Sequence, residues 1–222
     1  MKKILITILA TFALAGVSHA GSFGVGVSGG IIHVEGSGTE TTTAGTVAGG
    51  AANTNSKDVD AASIIGSVFA EYEFDNGWAI GYEHVPGSAD VADAKNQRTD
   101  ETSEDAAGSG TSGSTTRTAQ AEVDNFNTVY IEAPIGSAYV RLGFAQVDVN
   151  TQETASHGTY GNVSVDGVNY GIGLKGSLGG FMTKTSLEHT DFDDFTITST
   201  TSNKISADLD VTQIKFALVK QF

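Results

Sequence analysis

The chain has no cysteine and only 2 prolines among its 222 residues. The first absence removes disulfides and the common thiolate zinc and iron–sulfur sites. The second, beside 28 glycines and many threonines and serines, suits a β protein with long polar loops. Basic residues are scarce as well: 12 Lys and Arg stand against 26 Asp and Glu, a formal charge of −14. So acidic a chain makes nucleic acid a poor partner. An acidic surface aids solubility and holds cations loosely, but names no substrate. Long apolar runs are missing after position 20, where Gly, Ser, Thr, Asp and Glu break up every apolar stretch. No later segment therefore reads as a membrane-crossing helix.

What is present starts with Lys2 and Lys3, an apolar run from Ile4 to Val17, and the small-residue stretch Ser18-His19-Ala20. That order is expected of a secretory signal peptide over residues 1–20, with Gly21 as the mature start and a single domain over 21–222. Loss of Lys2 and Lys3 takes the charge from −14 to −16. A secreted chain without an apolar helix is either soluble or crosses a membrane as strands. In hydrocarbon, only a closed barrel satisfies the backbone groups of strands.

Period-two alternation recurs in eight segments, about 22–34, 63–74, 78–86, 123–134, 137–149, 163–175, 181–191 and 207–222. Phe23, Val25, Val27 and Ile31 alternate with Gly24, Gly26, Ser28 and Gly30, for example, and Val140, Leu142 and Phe144 with Tyr139, Arg141 and Gly143. Connections alternate in length. Long or medium stretches at 35–62, 87–122, 150–162 and 192–206 take turns with short ones at 75–77, 135–136 and 176–180. A transmembrane barrel has short periplasmic turns and longer outer loops in this way. Asp75-Asn76-Gly77 as a three-residue turn pairs Phe74 with Trp78 and Tyr72 with Ile80. Ile135-Gly136 as a two-residue turn pairs Ile131 with Val140 and Tyr130 with Arg141. Both place apolar opposite apolar, as paired strands sharing a face require. The expected fold is all-β, an eight-stranded antiparallel up-and-down transmembrane β-barrel.

Alternation alone does not say which face is inside, because a soluble sheet buries its apolar face and a membrane barrel turns it to lipid. The aromatics decide. Phe23, Phe74, Trp78, Phe181 and Phe222 all fall near a short turn or a mature terminus, hence at one end, as an interfacial girdle would. The polar parity carries Glu71, Glu73, Glu83, Glu132 and Glu188 with Arg141, Lys175, Lys184 and Lys215. A lumen of eight strands is just wide enough for side chains to fill, and charges there need partners. These nine residues are expected to form a lumen charge network, with Glu132 and Arg141 as diagonal neighbours across a hairpin.

Signal, alternating strands and short–long connections together resemble the small outer-membrane β-barrel family, the OmpA-, OmpX- and opacity-like proteins of Gram-negative envelopes. The likeness covers essentially all of 21–222. It implies that Ile214, Phe216, Leu218 and the terminal Phe222 act as the signal read by the barrel-assembly machinery. Lys220 departs from that pattern, standing where an apolar or aromatic residue is usual. The partners it implies are outer-membrane lipid, that machinery during biogenesis, and an extracellular ligand the sequence does not name. The expected role is structural or surface interaction through long acidic loops. The alternatives are a small pore or hydrophobic-solute channel, a lipid-modifying envelope enzyme, and a soluble β-barrel.

No catalytic, cofactor or metal residue is singled out. His33, His84 and His189 fall on the apolar parity near the outer rim, on strands two apart, about 10 Å at normal spacing and too far for a dyad. His157 lies in a loop. Asp191-Phe192-Asp193-Asp194 lacks the Gly turn and closing Glu of a calcium loop and reads as a solvated acidic loop. Gly24-Val25-Gly26-Val27-Ser28-Gly29 precedes no helix and is no nucleotide loop. The Gly/Ser/Thr-rich stretch 87–122 is too polar for a core of its own.

Overall fold

The computed structural model describes residues 21–41, 54–90, 96–102, 113–153, 159–200 and 202–222. Residues 1–20, where the signal peptide is expected, and His157 lie outside the described residues.

The strands are β1 (Gly21–Thr41), β2 (Thr54–Phe74), β3 (Ala79–Asp90), β4 (Asn96–Thr102), β5 (Gly113–Ile135), β6 (Ala138–Glu153), β7 (Val163–Leu178), β8 (Phe181–Phe192), β9 (Phe195–Thr198) and β10 (Lys204–Gln221). They form one antiparallel up-and-down sheet in the order β1-β2-β3-β5-β6-β7-β8-β10-β9, with β4 paired to β5. β1 also pairs with β10, from Gly24 opposite Gln221 to Thr41 opposite Lys204, so the sheet is barrel-like.

Short turns join the lower ends. At Asp75-Asn76-Gly77, Phe74 N donates to Trp78 O at 2.8 Å and Tyr72 faces Ile80, the expected register. Between β7 and β8 only Gly179-Gly180 turns, with φ of +56° and +83°, and Leu178 faces Phe181. A two-residue hairpin with both central φ positive follows the right-handed strand twist. The turn expected at Ile135-Gly136 is instead Gly136-Ser137: Ile135 faces Ala138, Ile131 faces Leu142, and Tyr130 faces Gly143. Gly136, at φ +66°, takes the first central position, where this turn type needs glycine. The slip is two residues, so every facing is preserved, but Glu132 lies directly opposite Arg141 and not diagonal to it.

The larger correction lies above. Much of the sequence expected as loops continues as strand. β1 and β2 stay paired up to Thr41 and Thr54, β5 runs back to Gly113, and β4 and β9 are additional strands. Stretches such as Glu35–Thr41 have no apolar residue, and main-chain pairing to both β2 and β10 holds them. Phe192, expected in a solvated loop, ends β8 as a buried side chain.

Along each long strand the alternation keeps its phase while its polarity inverts. In β1, Phe23, Val25, Val27 and Ile31 are exposed, and Gly24, Gly26 and Ser28 point inward. From Ile32 the rule reverses: Ile32 and Val34 are buried, and Glu35 and Ser37 are exposed. β6 reverses after Phe144, with Ala145, Val147 and Val149 buried, and β10 above Ile214, with Leu209 and Val211 buried. The upper buried residues, joined by Val165 and Phe192, make one apolar cluster against which Ile65, Val123, Phe126 and Phe195 pack. The upper part obeys the rule of water-soluble sheets, and the lower part its opposite.

Candidate functional site

Glycines on the inward parity make room for large interior side chains. A Cβ on Gly26, Gly81 or Gly173 would overlap the ring of Phe69, Tyr130 or Tyr139 respectively. Each glycine belongs to a strand beside the one that carries the ring, so each ring covers the glycine of the neighbouring strand. That leaves the middle to longer charged chains. Tyr130 and Tyr139, each only 2% exposed, were not singled out from sequence, although they share the polar parity with Glu132 and Arg141.

The structure places all nine predicted charges in the interior and brings them together as two connected groups. In the first, Lys184 Nζ reaches Glu71 Oε2 at 2.6 Å and Glu132 Oε2 at 2.7 Å. Lys175 Nζ, nearer the lower rim, lies 2.8 Å from Glu73 Oε2 and 3.7 Å from Glu132 Oε2. In the second, Arg141 donates to Glu83 Oε2 at 2.6 Å and Glu188 Oε1 at 3.0 Å. Lys215 Nζ lies 2.7 Å from Glu83 Oε1 and 2.9 Å from Glu188 Oε2. The expected Glu132–Arg141 pair is replaced. Although the two face each other across the β5–β6 hairpin, Arg141 turns to carboxylates on β3 and β8.

Tyr130 joins the groups. Its ring lies under the Arg141 guanidinium at 3.6 Å, and its hydroxyl donates to Glu71 Oε2 at 2.9 Å. Ser67 and Ser186 add donors, to Glu83 at 2.6 Å and Glu188 at 2.7 Å. Each of the four cations is shared by two acids, which is how dense charge survives away from water. Among Phe69, Tyr130, Arg141, Lys184, Glu188 and Lys215 the remaining cavity is about 20 Å³, room for about one water. Above this layer Asn169 donates to Thr190 Oγ1 at 3.0 Å, and the apolar cluster begins.

On the outer face, Phe23, Phe74, Trp78, Phe181 and Phe222 are exposed at the lower end. Lys220 Nζ lies 5.7 Å from the Phe181 ring. Ile214, Phe216, Leu218 and Phe222 lie on the outward side of β10. At the level of inversion, polar side chains cap the apolar wall. Tyr82 donates to Asn127 Oδ1 at 2.5 Å, His84 Nδ1 lies 2.8 Å from the same atom, and His189 Nδ1 lies 2.9 Å from Thr212 Oγ1. His33 Nε2 lies 2.7 Å from Asp60 Oδ1. The three histidines thus bond to neighbouring strands and not to one another. His33, Glu35 and Asp60 bring donor atoms within 4.8 Å of each other, an exposed, acid-rich grouping closed by its own hydrogen bond.

No family model and no curated protein matches the chain. Solved structures that align with the chain include Ail, the attachment invasion locus protein of Yersinia pestis, at 16% identity and a TM-score of 0.32, covering 86% of this chain and 98% of that one. The outer membrane protein OprG from Pseudomonas aeruginosa aligns at 12% identity and a TM-score of 0.45, over 90% of this chain and 97% of that one. The outer membrane protein AlkL aligns at 14% identity and 0.39, over 92% of each chain. The chain itself is an antiparallel barrel-like sheet with a buried ionic network below and an apolar cluster above.

Proposed function

We propose that the mature chain is an integral outer-membrane barrel of a Gram-negative-type envelope. β1, β2, β3, β5, β6, β7, β8 and β10 form its eight-stranded wall, closed from the lower turns up to the Val68–His84 pair, and the strand ends and loops above present a surface for structural or adhesive interaction. The observation that carries this reading is the polarity inversion. A sheet that is apolar outside and ionic inside over one stretch, then apolar inside and acidic outside over the next, matches a wall passing from lipid into water. From Phe23 to His33 is ten residues; at about 3.3 Å per residue and a tilt near 40° this rises about 25 Å, the height of the apolar band of such barrels. The lower aromatics then form the periplasmic girdle, and Tyr82, His84, Tyr170 and His189 lie at the outer interface.

In this reading residues 1–20 direct export and are removed. Ile214, Phe216, Leu218 and Phe222 are what the assembly machinery recognises. The nine charges act as a plug, not as a catalytic centre, and the protein is not an enzyme. The test uses the absence of native cysteine. Ile172→Cys, on the exposed apolar face, is expected to resist a membrane-impermeant maleimide on whole cells, and Asp148→Cys to react. Equal labelling of both, or recovery of the protein without detergent on fractionation, would refute membrane insertion.

The plug carries its own prediction. With about 20 Å³ left among the charged groups, refolded protein in a planar bilayer is expected to give no nanosiemens conductance steps. Regular steps of that size would instead establish a pore.

A further inference from the structure

β2 is paired with β1 along its whole length, from Phe74 to Thr54, but with β3 only from Glu73 opposite Ala79 to Val68 opposite His84. Above His84, β3 turns away. Pro86 has no N–H, Gly87 stands at φ +92°, and the β3–β5 register shifts between Val85 and Ser88. From Asp58 to Ser67, then, β2 has a strand on one side only among the described residues.

The phase of the ladder tells which groups are left over. Phe74 N donates to Trp78 O, so the even-numbered residues of β2 turn their main chain toward β3, and hydrogen-bonded pairs alternate from there. Gly66, Ile64, Ala62 and Asp60 therefore present N–H and C=O groups to a side where no described strand lies. Ile64 is 85% exposed and sits where the apolar outer wall ends. Backbone groups at a lipid boundary are costly to leave unmade. The side chains agree with an open wall: Ser63 points inward by parity yet is exposed, and Ile65 is only half-buried against the apolar cluster.

We propose that this edge of β2, from Asp58 to Gly66, is a strand-addition site that takes an extended polypeptide segment of a partner protein, with small apolar residues alternating with basic ones. The inference rests on the surface-interaction reading above and names the partner's chemistry. Main-chain pairing to Gly66, Ile64, Ala62 and Asp60 supplies affinity, as in other sheets that gain a strand. The inward side chains of the added strand cover Ile65 and Ser63. Its outward side chains meet Asp58 and Asp60, with Glu35 directly opposite Asp60, so they are basic. A second copy of this chain is a poor occupant, because two such edges would crowd Asp58 and Asp60 of both on one short ladder.

The test uses the full mature chain refolded in detergent and a blocked seven-residue peptide of alternating lysine and valine, read by residue-resolved amide exchange. Saturating peptide is expected to slow exchange at Asp60, Ala62, Ile64 and Gly66 at least tenfold, leaving Ala61, Ser63 and Ile65, which bond to β1, unchanged. The Ala62→Pro variant removes one seam-facing donor and leaves the β1 ladder intact, so it should weaken binding at least tenfold with the folded gel band retained. The Asp58→Lys/Asp60→Lys double variant, which leaves the backbone alone, should reverse the preference toward a glutamate–valine peptide. Absence of protection would overturn the site. So would equal protection by a peptide N-methylated at alternate amides, or protection that grows with protein concentration without peptide. Because binding is read in detergent, failed membrane insertion in cells would remove the envelope reading and leave this result standing.

Discussion

Arg141→Met is expected to lower the stability of the refolded protein by about 3–5 kcal/mol, the usual cost of breaking a buried ion pair from one side. The guanidinium serves Glu83 and Glu188 at once, at 2.6 and 3.0 Å, and all three side chains are almost wholly buried. Methionine fills much of the volume but leaves two carboxylates to share Lys215. Adding Glu188→Gln removes the surplus charge and should recover more than half of the loss. Denaturant midpoints read through the single tryptophan, Trp78, measure both variants. A single-variant effect below about 1 kcal/mol, the range of exposed ion pairs, would mean that water fills the interior and would end the plug interpretation.

The second large effect is expected at a residue with no side chain. A Cβ on Gly81 would overlap the Tyr130 ring, and that ring is held between the Arg141 guanidinium and Glu71. Gly81→Val therefore forces strain of about 1–3 kcal/mol and breaks a hydrogen bond to a charged group worth about 1.5–3 kcal/mol. A total near 3–5 kcal/mol is expected, enough to abolish the heat-modifiable folded band at physiological temperature. Gly161→Ala, where no atom lies within 4 Å, is the control and should change stability by under about 0.5 kcal/mol. Pairing Gly81→Val with Tyr130→Leu should relieve part of the overlap, giving a coupling above about 1 kcal/mol in a double-mutant cycle. Strict additivity would show that the ring is not seated on the glycine.

These two sites illustrate how far the sequence could be read. Strand existence and side-chain facing follow from period two, which is why Arg141, Glu83 and Glu188 all receive the inward parity from the chain alone. Which of them meet does not follow. Parity assigns a residue to a face, whereas contact across an interior depends on depth and on the reach of side chains from strands far apart in sequence. Arg141 lies opposite Glu132 on the neighbouring strand and bonds elsewhere. The turn at Gly136-Ser137 escaped for a different reason: Ile135-Gly136 and Gly136-Ser137 both contain a glycine, and a slip of two residues leaves every face intact.

Period two marks β1 up to Val34, β6 up to Val149 and β10 from Ala207, but alternation taken with one sign does not show that the polarity reverses inside them. Ile32 and Val34, Val147 and Val149, and Leu209 and Val211 keep the period and put their apolar members on the parity that is polar lower down. The extension Glu35–Thr41 lies beyond the expected segment, and a stretch with no apolar residue gives no period to detect.

In the proposed membrane, the reversal of polarity within a single strand would also fix the height of the molecule. A sheet apolar on its outer face from end to end could bob along the membrane normal at little cost. Here, sinking the wall by one two-residue step, about 5 Å of rise, would drag Glu35, Asp60 and Asp210 into the acyl chains; raising it by the same step would lift Ile31, Phe144 and Ile214 into water. Both displacements cost free energy, so the chain carries its own waterline. Everything above that line, including Asp58 and Asp60 on β2, is then held at a set distance from the lipid headgroups.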